Sequence, residues 1–592
     1  MKIKIWFQKK QNFIWAVLFF VMLCVVLTIR FDYYYDLNDD VLMKDILAGN
    51  YTGEPEGHNI QMLWLLSEGI SLFYRVVREL PWYGLFLCGC QFGALLLILA
   101  RSLKICHQLR TKISVGIVEI LFFAAMMMEH LVYMQYTITC TMLAAAAVFW
   151  FLTTPWGLTG KQFVKANIPA ICLVFVAFLL RSEMLLLVLP FLCVAGVIRW
   201  SCEEKIFTRE NFIKYLSVFG MILLGLGIGQ GSHMLAYGST EWKAFDELFD
   251  QRTQLYDYQK PPEYEGNRAF YESIGITESE QVIFENYNFG IDEEIDEVIM
   301  GKVAVYAAGL NKEEKPFVPK LKEKLHFYIY RFTHGAQAAG SDYPWNYMAC
   351  LMYVMVFFLL VGIEWSQNKG WSIFHAAWKL CFLFAVRSAL WLFILMGERD
   401  PARITHSLYF MEVVVLGGIL FMTLQHRRLG GRGKLVCLTM LICMGLLALF
   451  FLPEKWKAVS DEQTVRQQVN APYLELYAYF AQHPENFYFI DVYSSVSYSE
   501  KMFAQVDNSL DNYDIMGGWA SKSPLYRKKL QAYHIPTMEE GLCSMENVFF
   551  VRRKSEDMKW LSDYYKDHGV TIETVLQKEI RDFEIYEVRE AY

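Results

Sequence analysis

Apolar runs close to 20 residues long recur along this chain, separated by polar segments. About 20 consecutive apolar residues are needed to cross a bilayer as a helix. The pattern predicts eleven spans, over 13–30, 83–100, 113–132, 137–153, 167–181, 184–199, 214–235, 346–364, 376–396, 407–424 and 435–452. It therefore predicts a polytopic α-helical membrane protein. The fifth and sixth spans are separated only by Arg181-Ser182-Glu183.

Three long segments interrupt or follow the spans. In the first, 31–82, the stretch 60–80 places Met62, Leu66, Ile70, Phe73, Val77 and Leu80 on one face. Gln61, Glu68, Ser71, Arg75 and Arg78 fall on the other. That is a helical period, expected to lie along the membrane surface or to pack on the spans. The second, 236–345, is polar, turns at Pro261-Pro262 and carries an acidic helical stretch near 278–299. A loop of that length is uncommon without a function. The third, 453–592, predicts strands over 486–494, 547–553 and 583–589, being rich in β-branched and aromatic residues. Helices are expected over 472–482 and 556–568, with a turn-rich loop over 508–524. This segment reads as a small C-terminal α/β domain.

Composition agrees: of 592 residues, 55% are hydrophobic and only 20% charged. The net charge of −7 decides little, because distribution matters more than the sum. Basic residues concentrate in alternate segments: Lys2, Lys4, Lys9 and Lys10; Arg101, Lys104, Arg110 and Lys112; Lys161 and Lys165; Arg199, Lys205, Arg209 and Lys214; Lys369; and Arg427, Arg428, Arg432 and Lys434. Positive charge near span ends stays cytoplasmic. Residues 1–12 are thus expected inside, 13–452 in the membrane region, and 453–592 outside. No small-x-small cleavage site follows residue 29, so the first span is expected to stay uncleaved. Of the thirteen cysteines, only Cys543 falls in a predicted outer segment, which leaves no outer disulfide. That favours a bacterial plasma membrane over a eukaryotic lumen.

The first outer segment begins with an acidic cluster, Asp36, Asp39, Asp40 and Asp45, just beyond the first span. A carboxylate there can take a proton from an acceptor hydroxyl, provided it stays ionised and within hydrogen-bond reach. Adjacent carboxylates repel, which raises one pKa unless a cation intervenes. The plainer alternative is that Asn38 or Asp39 caps the helix that follows.

A first span followed at once by an acidic motif, a surface helix, many further spans and a C-terminal outer domain resembles the GT-C glycosyltransferase superfamily. The phrase NDDVLMKDILAGNYTGEPEGHN is similar to first-loop motifs of bacterial members. The likeness of layout covers the whole chain, and the motif only about residues 36–59. It implies a polyprenyl-phosphate-linked sugar donor, and Asp39 or Asp40 as general base, with Asp40 slightly preferred. The superfamily includes metal-dependent and metal-independent members, so a divalent cation, Mg2+ or Mn2+, stays open.

Other candidates fall near predicted span ends. His58 is placed to bind a donor phosphate or orient an acceptor, or else is a loop histidine. Glu129 and His130 close the third span, where polar groups are also cheap to hydrate. Arg181 and Glu183 occupy a short outer turn. Arg399 and Arg403 lie in MGERDPARITHS, an outer loop that runs against the inside bias of basic residues. Arginine suits phosphate through its paired hydrogen bonds and persistent charge. These two are the leading phosphate candidates, with pairing to Glu398 and Asp400 as the alternative and His406 as a weaker companion. Arg387 lies roughly 16 Å deep in its span at the helical rise. A charge there normally pairs inside the bundle, and Glu119 is the expected partner.

No Walker loop, zinc-type spacing or calcium loop is present, and nothing suggests nucleic-acid binding. The expectation is an inverting glycosyltransferase acting on an envelope glycan, lipid or protein acceptor. The rivals are a flippase for lipid-linked sugars, which would carry midplane polar sites and repeats, and a non-catalytic envelope scaffold.

Overall fold

The computed structural model describes residues 2–314, 316–335, 340–364, 372–426, 431–504 and 509–591. Lys369, Arg427 and Arg428, used above for orientation, lie outside the described residues. Ten described helices are long and apolar enough to cross a membrane, from Gln11–Arg30 to Gly433–Gln482. A shorter apolar helix, Tyr136–Leu152, brings the count to the eleven expected. It is buried along nearly its whole length, at the middle of the bundle. Its neighbours are Trp82–Ile105, Gly160–Leu180, Ser182–Ser201 and Ala402–His426. The run Ala144–Ala147 lets their backbones approach closely.

Two elements differ from expectation. The last span does not end at 452. It continues as one 52-residue helix, Gly431–Gln482, through Pro453 and Pro472. The stretch expected as a separate helix over 472–482 is the end of this rod. The amphipathic helix is shorter than 60–80, running Trp64–Val76. It buries Ser67, Ile70, Ser71 and Tyr74, and leaves Leu72, Phe73 and Val76 exposed. The expected apolar face is therefore split: Ile70 packs inward while Phe73 faces out.

The C-terminal segment forms a five-stranded mixed sheet. The strand order is Tyr513–Ile515, Phe487–Ile490, Val548–Arg553, Phe583–Glu590 and Ile572–Ile580. Successive side chains of a strand point to opposite faces. Tyr488 and Ile490 pack with Tyr473, Leu476 and Phe480 at the end of the long helix. Phe487 and Phe489 face the other way, into a core that also holds Ile283, Phe284, Phe289, Ile291 and Met300. A sheet with two apolar faces needs cover on both. The second loop supplies half of it, so residues 453–592 do not close a core by themselves.

The first loop is fixed between bundle and sheet. Tyr34–Tyr35 pairs in parallel with Tyr133–Met134. The Met502 amide donates to the Tyr33 carbonyl at 2.9 Å, and the Tyr35 amide to the Glu500 carbonyl at 3.0 Å.

Candidate functional site

These strands aim the acidic segment. The Asp36 amide donates to the Met134 carbonyl at 2.8 Å, and its carboxylate takes a 2.7 Å ion pair from Arg466 of the long helix. The helix Asn38–Ala48 begins immediately afterwards. Its N-cap is Leu37, with no side-chain cap bond, so neither Asn38 nor Asp39 serves as the cap. Asp39 and Asp40 occupy the first turn instead, where the helix dipole favours negative charge.

The two neighbours diverge sharply. Asp40 is fully buried, and its Oδ1 accepts a 2.7 Å hydrogen bond from the Tyr83 hydroxyl. Its Oδ2 has no partner among the described residues. Burial, with the charges of Asp39 and Asp36 adding to it, pushes the Asp40 carboxyl well above the usual carboxylate range. Asp39 points into a large cleft of about 1860 Å3. Its Oδ1 accepts from the indole Nε1 of Trp519 at 3.0 Å. Its other oxygen has no protein partner among the described residues.

Trp519 was not singled out from the sequence. It sits in the loop over 508–524, next to Gly517-Gly518. Gly518 holds φ +93°, and a Cβ on Gly517 would run into the Tyr287 carbonyl. Only glycines allow the loop to press this close and deliver the indole to Asp39. A large aromatic residue beside two glycines in a polar loop was the available signal.

Four arginines line the cleft with Asp39: Arg181, Arg399, Arg403 and Arg252, the last of which donates to the Tyr287 hydroxyl at 2.8 Å. Arg181 pairs with Glu183 at 3.2 Å, lies over the Tyr136 ring at 5.1 Å and donates to Gln61. Its charge and that of Asp39 act on each other. Arg399 pairs with Asp257 of the second loop and stacks on Tyr258. Among the described residues, neither Arg399 nor Arg403 pairs with Glu398 or Asp400. Glu398 takes Lys324 at 3.1 Å, and Asp400 takes Arg331. Arg403 is left with no ion-pair or hydrogen-bond partner for its side chain among the described residues. Next to these arginines the cleft wall turns apolar, with Leu186, Leu390 and Phe393. Phe393 is 70% exposed and Leu186 52%.

The far wall is built from the C-terminal segment. Tyr477 stacks on Tyr513 at 4.8 Å and meets Tyr498 edge-on at 5.1 Å. Lys44 bridges Asp45 and Glu500 at 2.8 and 2.7 Å. Burial, reinforced by Asp45, lifts the nearby Asp511 carboxyl well above its usual range.

The remaining candidates lie off the cleft. His58 Nδ1 contacts Glu56 at 2.8 Å, Nε2 reaches the Ala236 carbonyl, and its ring stacks on Trp242. Both ring nitrogens are thus engaged in folding the loop. Glu129 is exposed. His130 is buried in a 2.8 Å hydrogen bond with His406, away from the cleft wall. Arg387 does not meet Glu119. It pairs with Glu412 of Ala402–His426 at 3.1 Å, and donates to the hydroxyls of Tyr328 and Tyr409. Glu119 lies on the helix Leu109–Val132, and its Oε2 has no hydrogen-bond partner among the described residues.

Among the described residues, the four aspartates of the acidic cluster do not converge on a cation position. Asp36 is held by Arg466, Asp39 by Trp519, Asp40 by Tyr83 and Asp45 by Lys44. No family model matches the chain, and no curated protein or solved structure matches it either.

Proposed function

We propose that this protein is an inverting glycosyltransferase that moves a sugar from a polyprenyl-phosphate-linked donor to an acceptor hydroxyl. The site would lie at the outer face of a bacterial plasma membrane. One observation carries the proposal: a single cleft joins a carboxylate with an open oxygen, an unpaired arginine and an exposed apolar wall. Asp39 is the base in this scheme. Asp40, buried and favouring its protonated form, positions the turn. The acceptor oxygen attacks the anomeric carbon as the bond to phosphate oxygen breaks. The proton passes to Asp39, and the electron pair stays on the departing polyprenyl phosphate. Arg403 and Arg181 stabilise that charge, as positioned cations do elsewhere. Leu186, Leu390 and Phe393 receive the prenyl chain. The tyrosines and carboxylates of the far wall suit the hydroxyls of a glycan, lipid or protein-linked acceptor.

The experiment compares envelope glycans of a deletion strain complemented with wild type, Asp39→Asn, Asp40→Asn or Arg403→Ala, at matched membrane levels. Asp39→Asn and Arg403→Ala are expected to lose at least 100-fold of transfer, and the missing sugar identifies the substrate. Full restoration by Asp39→Asn overturns the proposal. Arg387, the one feature that favours transport, is paired inside the bundle with Glu412 and donates to two tyrosines.

A further inference from the structure

Away from the cleft, three metal-ligand side chains from two distant segments meet. Glu280 lies on the helix Glu278–Glu285 of the second loop, and Asp292 follows the short turn Phe289–Ile291. His568 ends the helix Lys559–Asp567 of the C-terminal segment. One ligand atom from each lies within 4.8 Å of the others. Both acids are buried, Asp292 with only 1% of its surface exposed.

Each side chain has one polar atom engaged and one left over. Glu280 Oε2 accepts from the Thr277 amide at 2.6 Å, while Oε1 stands 3.6 Å from His568 Nε2. His568 Nδ1 donates to the Tyr564 carbonyl at 2.9 Å. In a neutral ring that bond leaves the lone pair on Nε2, the arrangement usual for metal-binding histidines. Asp292 Oδ1 accepts from the Glu294 amide at 2.8 Å. Its Oδ2 is buried with no hydrogen-bond partner among the described residues, and so is the Tyr564 hydroxyl. Tyr564 lies close enough to Asp292 and Glu280 to feel their charges. Lys522 is the nearby ammonium, yet it donates to the carbonyls of Asp292 and Ile295 rather than to a carboxylate. Burying ionised carboxylates without a cation is costly.

We infer that Glu280, Asp292 and His568 bind one divalent transition-metal ion, of which zinc is the best fit, and that it ties the second loop to the C-terminal sheet. An imidazole with two carboxylates suits zinc better than calcium or magnesium, which prefer oxygen alone. Ligands on a tetrahedral zinc with bonds near 2.1 Å are roughly 3.4 Å apart. The 3.6 Å between Glu280 and His568 is close to that. The fourth position falls to water. A neighbouring hydrogen bond already joins the same two segments: Ser279 donates to Asp567 at 2.7 Å. The ion would lock the shared core from its edge, independently of any reaction in the cleft.

The test uses the full chain without a histidine tag, purified in detergent, stripped with chelator and titrated with ZnCl2. Wild type is expected to bind one zinc per chain, and its unfolding temperature to rise with zinc but not with CaCl2. His568→Ala is expected to bind at least tenfold more weakly and to lose the zinc response. His568 is at the surface, so this variant keeps its fold. Glu280→Gln, which preserves the helix-capping acceptor, should show the same loss. No zinc-dependent rise in wild type overturns the site, as does an equal rise in both variants. A lower unfolding temperature in His568→Ala without any zinc response in wild type marks a plain ion pair with Glu280, and also overturns it.

Discussion

The indole of Trp519 donates to the carboxylate of Asp39 at 3.0 Å, across 480 residues of chain. This bond orients one oxygen and leaves the other facing the cleft. Trp519→Phe keeps the ring and removes the donor. A hydrogen bond to a charged group contributes about 1.5–3 kcal/mol. Transfer should therefore fall by roughly 10–100-fold while the unfolding temperature drops by only about 2–4 °C. Unchanged transfer in membranes carrying equal amounts of protein would show that the indole does not set the carboxylate's orientation.

The His58–Glu56 pair makes the first loop sensitive to pH. Burial works against the charge of His58, but Glu56 and the Ala236 carbonyl outweigh it and raise the pKa above 6.5. Burial likewise opposes ionisation of Glu56, but His58 outweighs it and holds the carboxyl at about 2. A raised histidine pKa adds stability that is complete below about 6.5 and is lost as pH climbs through the folded value. A lowered glutamate pKa adds stability that is complete above about 4.5 and is lost as pH falls toward 2. The pair is thus at full strength between those limits. His58→Phe retains the stack on Trp242 without the charge. Its unfolding temperature should lie below wild type at pH 6, with the gap narrowing by pH 9. A gap that does not change over that range would assign the loss to packing alone.

Arg387 and Glu412 are both completely buried. Removing one partner of a buried pair leaves the other charge uncompensated, at about 3–5 kcal/mol. Glu412→Gln should lower stability by that order, read from denaturant unfolding in detergent. The double variant Arg387→Met with Glu412→Leu should recover most of it. If the double variant is no more stable than the single one, the two residues do not act as a clamp.

The bundle was legible because lipid-length apolar runs have few alternative explanations, and each expected segment has its helix. Strand recognition followed burial. Phe487–Ile490, Val548–Arg553 and Phe583–Glu590 are the inner strands of the sheet, and their apolar residues announced them. The two strands missed, Tyr513–Ile515 and Ile572–Ile580, are its edges. An edge has one pairing side open to solvent and tolerates charge, and Ile572–Ile580 is largely exposed. At the site, Asp40 is slightly preferred from the sequence, while the base proposed from the cleft is Asp39; spacing does not separate the two, because a one-residue step along a helix turns a side chain by about 100°. Whether that step leads into the cleft or against Tyr83 depends on what packs around the turn. Arg387 could be assigned a buried partner but not Glu412, since helix adjacency is not written in spacing.

The continuous helix Gly431–Gln482 has a mechanical consequence. Its apolar half packs at the edge of the bundle against Leu109–Val132 and Trp345–Glu364, while its far half carries Arg466, clasping Asp36, and Tyr477 on the cleft wall. From Pro453 to Gln482 this lever is about 45 Å long at 1.5 Å per residue. A tilt of about 4° at its base would swing the tip by about 3 Å, the width of a water molecule. Bilayer thickness governs how far such a rod leans. A lean of this rod would therefore move Tyr477, on the cleft wall, together with the Arg466–Asp36 contact.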